Sequence, residues 1–269
     1  SIRRAIRNTA TPIPGLAADG FGQGPGLLQV DKAWEHLETH AKAVGESLPI
    51  DVSVVGGRGR RGIYLRDRHE TAGPASRLVR LTPRFPEGTD NAKKVAFGLS
   101  LALTPTVDWI DCGDQLLLTH GGGSFRLVVD PTDLPPGGHL GEILITDTRS
   151  PARGPLARVP VTVIKAESLK SESTWQQQIT FEPGHLARRF LDVPQGATWA
   201  DISLVLQRTP SPSSSAPAPD TPKRPGVSPT PDSPTRDVAG PNRRVVLHTV
   251  QLRPGRSFRD DQSRSYLTL

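Results

Sequence analysis

The sequence predicts a mainly β chain: antiparallel β-sandwich modules that follow two short helices. Two observations predict it. After Gly45 the spacing of apolar residues changes from about 3.6 to about 2. Strand-like runs then succeed one another across Gly/Pro/Asp turns, with no helical stretch between them, which is the pattern of a sandwich.

The helices come first. "SIRRAIRNTA" places Ile2, Ala5, Ile6 and Thr9 on one stripe and Arg3, Arg4 and Arg7 on the other, and Pro12, Pro14 and Gly15 end it. A glycine-rich turn leads to a short apolar strand at 27–30 and a second helix capped by Asp31. Its expected buried stripe is Ala33, Trp34, Leu37, Ala41 and Val44, and Gly45 stops it.

The strands follow in order. "VSVVGGRGRRGIYLRD" contains a literal G-x-G-x-x-G at Gly57, Gly59 and Gly62, but a dinucleotide site needs a helix to open directly after it. Ile63, Tyr64 and Leu65 read as a strand instead, so the expectation is a hairpin of strands 50–55 and 62–66 around a Gly/Arg tip. "VAFGLSLAL" alternates Val95, Phe97, Leu99, Leu101 and Leu103, and "QLLLT", "SFRLVVD", "LGEILITD" and "ARVPVTVIK" continue the series. A second set begins at "QQQITFEP" and runs through "LARRFLDVP" and "TWADISLVLQ". Trp109 and Trp199 are expected as core anchors of the two sandwiches.

Ten of the 27 prolines fall between Pro210 and Pro241. Such a stretch cannot bury enough apolar area to offset its ordering entropy, so a disordered loop over 209–242 is expected, with "RRVVLHTVQL" resuming as a strand. Thr209, Ser211, Thr221, Ser228, Thr230 and Ser233 each precede proline and offer proline-directed phosphorylation sites.

Charge and composition exclude several function classes. The net charge is +6, but 33 Lys and Arg are interspersed with 27 acids and aromatics make up 5%, which argues against nucleic-acid binding. Cys112 is the single cysteine, so no intrachain disulfide forms, which suits a reducing, cytoplasmic setting. No apolar run reaches membrane-spanning length. The chain opens at Ser1 and has no methionine, as expected of a piece of a longer protein.

No catalytic, cofactor-binding or metal-ligating residue is assigned. His36 and His40 stand at i and i+4, a spacing that can clip zinc, but Glu38 faces away and no third ligand is apparent. His120, His139, His185 and His248 are isolated. Asp130 and Asp133 belong to a "DPTD" turn, where Asp bonds its own backbone, and Cys112 reads as a small core residue. No G-x-S-x-G elbow occurs.

"SIRRAIRNTA" and "GQGPGLLQVDKAWEHL" resemble the last two helices of a subtilisin-type serine protease domain, those after the helix headed by the nucleophile. "RGIYLRD", "WIDC", "LARVPVTV", "PQGATWADISLVL" and "VVLHTVQL" resemble, in the same order, the region just downstream in the tripeptidyl-peptidase II family. The resemblance implies 1–46 as the C-terminal end of a subtilisin-like peptidase domain, 47–168 as a first β-sandwich and 174–269 as the start of a second. It implies a cytosolic serine exopeptidase that releases tripeptides from free N-termini with an Asp-His-Ser triad and an Asn oxyanion donor. It also implies assembly into large homo-oligomers. The triad lies upstream, so this segment would complete the protease fold, with the upstream catalytic part as its partner. No cofactor, nucleic acid or membrane is implied. The alternative is a non-enzymatic β-sandwich interaction or scaffold protein.

Overall fold

Nine strands build a two-sheet sandwich because their apolar residues alternate. In the computed structural model, which describes residues 2–13, 24–41, 48–57, 60–169, 174–180, 187–194, 196–197, 200–205, 244–250 and 262–268, these are β1 (Ile50–Val54), β2 (Ile63–Leu65), β3 (Ala75–Pro83), β4 (Gly98–Pro105), β5 (Ile110–Asp111), β6 (Gln115–Thr119), β7 (Gly123–Val129), β8 (Gly137–Asp147) and β9 (Ala157–Lys165). One sheet runs β1-β3-β7-β5, the other β2-β9-β8-β4-β6. Val79, Leu81, Phe125 and Leu127 from the first meet Leu101, Ile143, Ile145, Val159 and Val161 from the second in a single core. In β9 the period-2 reading holds from Val159 to Val163: Val159, Val161 and Val163 are buried, and Pro160 between the first two is exposed.

Several readings change. The strands around the Gly/Arg tip exist but do not pair as a hairpin. β1 pairs antiparallel with β3, while β2 crosses to the other sheet and pairs parallel with β9, Ile63 opposite Val161. The crossing is tight: a Cβ on Gly62 would lie 2.7 Å from the Pro160 carbonyl oxygen, so the backbone approach requires glycine. Val95 is no strand residue; it ends a one-turn helix (Asn91–Val95) and is exposed, and β4 starts at Gly98. Finally, 75–83 is a long central strand that the sequence reading does not mark, because Leu78 and Val79 side by side blur its alternation.

Helix α1 (Ile2–Thr9) packs against helix α2 (Val30–Ala41). The expected strand at 27–30 reduces to one bridge, Leu27 with Thr11, held by backbone bonds of 2.8 and 3.1 Å. Ala33 N–H donates to Gln29 O at 2.9 Å, so α2 begins before Asp31, whose carboxylate lies in the first turn near the positive end of the helix dipole. Ala5 and Ala33 are buried and Leu37 is half-buried, but Trp34, assigned to the buried stripe, is exposed.

Beyond β9, β10 (Glu167–Ser168) pairs parallel with β11 (Leu191–Asp192), and Arg68 reaches Asp192 at 3.6 Å. "QQQITFEP" and "TWADISLVLQ" form no strand over their described residues. Ser1–Ala197 forms one compact unit and Thr198–Leu269 a second. In the second, β12 (Arg244–Val250) pairs antiparallel with β13 (Gln262–Thr268), a strand that the sequence reading does not mark. Trp199 and the proline-rich tract lie outside the described residues. Among the described residues no helix is long and apolar enough to cross a membrane.

Candidate functional site

Two places on the first unit bring side chains together. The first is the seam between α1 and the sandwich. Asn8, in the last turn of α1, donates from Nδ2 to the carbonyls of Arg153 and Pro155, each at 3.3 Å, and its Oδ1 accepts from Arg158 Nη2 at 3.3 Å. Arg158 Nη1 in turn donates to Glu142 Oε2 at 2.8 Å. These partners sit on β8, on β9 and on the turn between them, which holds a one-turn 3-10 helix (Pro151–Arg153). Burial, and after it the charge of Arg153, lower the Arg4 pKa. The sequence reading missed this seam; its local signal was a lone glycine, Gly154, between Arg153 and Pro155.

The second place is a half-open cleft of about 340 Å³ at the crossing between sheets, with Val54, Gly57, Arg60, Tyr64, Glu70 and Arg77 in its wall. Arg77 Nη2 bonds Glu70 Oε1 at 2.9 Å, and the Arg66 N–H reaches Glu70 Oε2 at 3.4 Å. The Arg66 guanidinium lies 5.6 Å from the Tyr64 ring centroid, a cation–π contact.

Apart from the His36–His40 pair, the other residues singled out in the sequence come together in no site. His36 and His40 meet edge to face at 4.5 Å, and burial, His40 and Arg4 lower the His36 pKa. No group of three or more His, Cys, Asp or Glu that could hold a metal occurs among the described residues. Cys112 is buried in the core, and its thiol is pushed up to about 11 by burial and by Asp111 and Asp114. Thiolate chemistry at neutral pH is therefore suppressed. Asp130 Oδ1 accepts from the Thr132 N–H at 3.0 Å and from its hydroxyl, the turn bond expected, and these bonds lower its pKa. Asp133 and His120 are exposed, and a His139 ring nitrogen meets Pro135 O at 2.7 Å. After the G-x-G-x-x-G run comes β2 and no helix, so no helix N-terminus is there to take a pyrophosphate. Gly59, His185 and the side chain of His248 lie outside the described residues.

Comparison with known proteins agrees with this architecture. The family profile "Tripeptidyl-peptidase II, first Ig-like domain" matches residues 50–164, a span covering β1 to the penultimate residue of β9. Tripeptidyl-peptidase 2 of Arabidopsis thaliana is 39% identical over 210 residues, covering 76% of this chain and 15% of the relative. Its Drosophila melanogaster counterpart is 35% identical over 216 residues, with the same 76% and 15% coverage. The crystal structure of Tripeptidyl Peptidase 2 (TPP II) superposes with a TM-score of 0.74 at 28% identity, covering 100% of this chain and 20% of that one. The chain therefore spans about 15% of the length of these curated relatives. It is a segment of the tripeptidyl-peptidase II family, and residues 50–164 carry that family's first Ig-like domain.

Proposed function

We propose that the chain is the post-catalytic segment of a serine exopeptidase that releases tripeptides from free N-termini. In this reading, residues 1–46 close the subtilisin-like peptidase domain, 47–168 form the first sandwich and 174–269 begin the second. The observation that carries it is the asymmetry of burial. The sandwich is filled, while Ile2, Leu27, Leu28, Val30 and Trp34 on the helical arm are exposed. An apolar face of that kind marks a docking site. The occupant is the upstream catalytic part of the same protein, and α1 and α2 support the nucleophile helix from beneath. The Asp-His-Ser triad belongs to that upstream part, as do the contacts with peptide substrates. Homo-oligomeric assembly and a cytoplasmic location complete the reading; a free thiol at Cys112 is compatible with a reducing compartment.

The test is an assay of residues 1–269 on an N-terminally free tripeptide reporter, alone and mixed with the upstream half. Turnover only in the mixture, abolished by a serine-directed inhibitor, is the expected result. Failure of the two halves to associate would favour the alternative, a non-enzymatic sandwich scaffold.

A further inference from the structure

We propose that Asn8 is a positioning residue that pins α1 to the first sandwich, making that sandwich a rigid brace for the helix. All the bonding groups of the Asn8 amide reach the sandwich: Nδ2 goes to the Arg153 and Pro155 carbonyls, and Oδ1 to Arg158. The partners are 145 to 150 residues away in sequence, so the pin is purely tertiary.

Steric fit adds to the bonding. Gly154 has φ +67°, a left-handed conformation, and a Cβ built there would lie 2.7 Å from Asn8 Nδ2. The turn admits Asn8 because position 154 has no side chain. Arg158 is committed to the same seam. It joins Asn8 to Glu142, and its Nε is buried without a hydrogen-bond partner among the described residues. Leaving a buried donor unsatisfied is unfavourable, so the surrounding contacts must over-determine this arginine.

That this brace serves catalysis rests on the proposed function, in which α1 lies beneath the nucleophile helix. A helix held from the sandwich side then fixes the active-site support without touching substrate.

The experiment uses the full-length protein with Asn8→Ala, Gly154→Ala and the double variant, read by hydrogen exchange and by turnover. In Asn8→Ala, amides of residues 2–13 exchange about tenfold faster while β8 and β9 stay protected. Gly154→Ala does the same, and the double variant exchanges no faster at α1 than Asn8→Ala, because the two changes break one contact. Turnover well below the melting temperature falls several-fold in kcat with KM unchanged. Unchanged α1 exchange in Asn8→Ala, or additive effects in the double variant, overturns the pin. Faster exchange with kcat unchanged overturns the positioning role. If the wild-type protein shows no peptidase activity, the proposed function fails, and the exchange data alone decide the pin.

Discussion

The sandwich and the helical arm treat apolar residues in opposite ways within one compact unit. Leu81, Leu101 and Val161 are 0% exposed, whereas Ile2 is 66% and Trp34 63% exposed. The strands bury their inward faces because two sheets of this one segment face each other. Among the described residues of the two helices, of 8 and 12 residues, Ala5 and Ala33 are the buried apolar ones, and larger side chains such as Ile2 and Trp34 stay outside. A filled sandwich thus stands in the same unit as helices that leave large apolar side chains exposed.

Substitutions can break or sharpen that contrast. The largest effect belongs to the core: Leu101→Ala costs about 2–5 kcal/mol in denaturant unfolding. A loss under ~1 kcal/mol would mean that the sandwich core is looser than the burial indicates. Gly141→Ala comes next. Its Cβ would sit 2.5 Å from Val107 Cγ2 and 3.2 Å from Trp109, so overpacking costs about 1–3 kcal/mol. Trp109, the expected core anchor, packs against the core as a half-buried side chain, and this is the seat it would have to leave.

On the arm, Trp34→Ser changes the stability of residues 1–269 by under ~0.5 kcal/mol and lowers self-association in light scattering, since the indole is already in water. Under the proposed function, the same change in the full-length protein weakens docking of the catalytic part. Equal effects in both contexts would remove the contrast.

The smallest effect is electrostatic. Burial, His40 and Arg4 depress the His36 pKa below its ordinary 6.5. The unfolded chain therefore takes up this proton at higher pH than the folded one. The arm is most stable above about 6.5 and loses stability as pH falls from there through the folded pKa. Thermal melts at pH 7.5 and 5.5 should show the drop, and His36→Gln should reduce it.

How much was legible follows the range of the interactions. β7, β8 and β9 could be read because side-chain alternation is a local property of an extended chain that buries one face. The switch to sandwich architecture after the second helix was readable for the same reason. β3 escaped, since Leu78 and Val79 both look apolar and only the packed sheet decides that Val79 points inward. The hairpin reading identified both strands and mistook their partners. A glycine-rich tip allows a reversal, but whether the next strand returns to its neighbour or crosses to the other sheet depends on the free edge at β9, about 100 residues later.

The candidate seam was illegible for a related reason. Asn8 reads as one polar residue on a short helix, and nothing local joins it to Gly154 or Arg158. The sequence by itself determined the mainly β class, most strand positions, the turn at Asp130 and the inert, buried character of Cys112. Each of these depends on a residue's own chemistry or on its near neighbours. Tertiary structure alone decided sheet membership, the parallel pairing of β2 with β9, the exposure of Trp34 and the meeting of Asn8 with Gly154. Those depend on which surfaces come together in space, and backbone edges and van der Waals contact carry no signature along the chain.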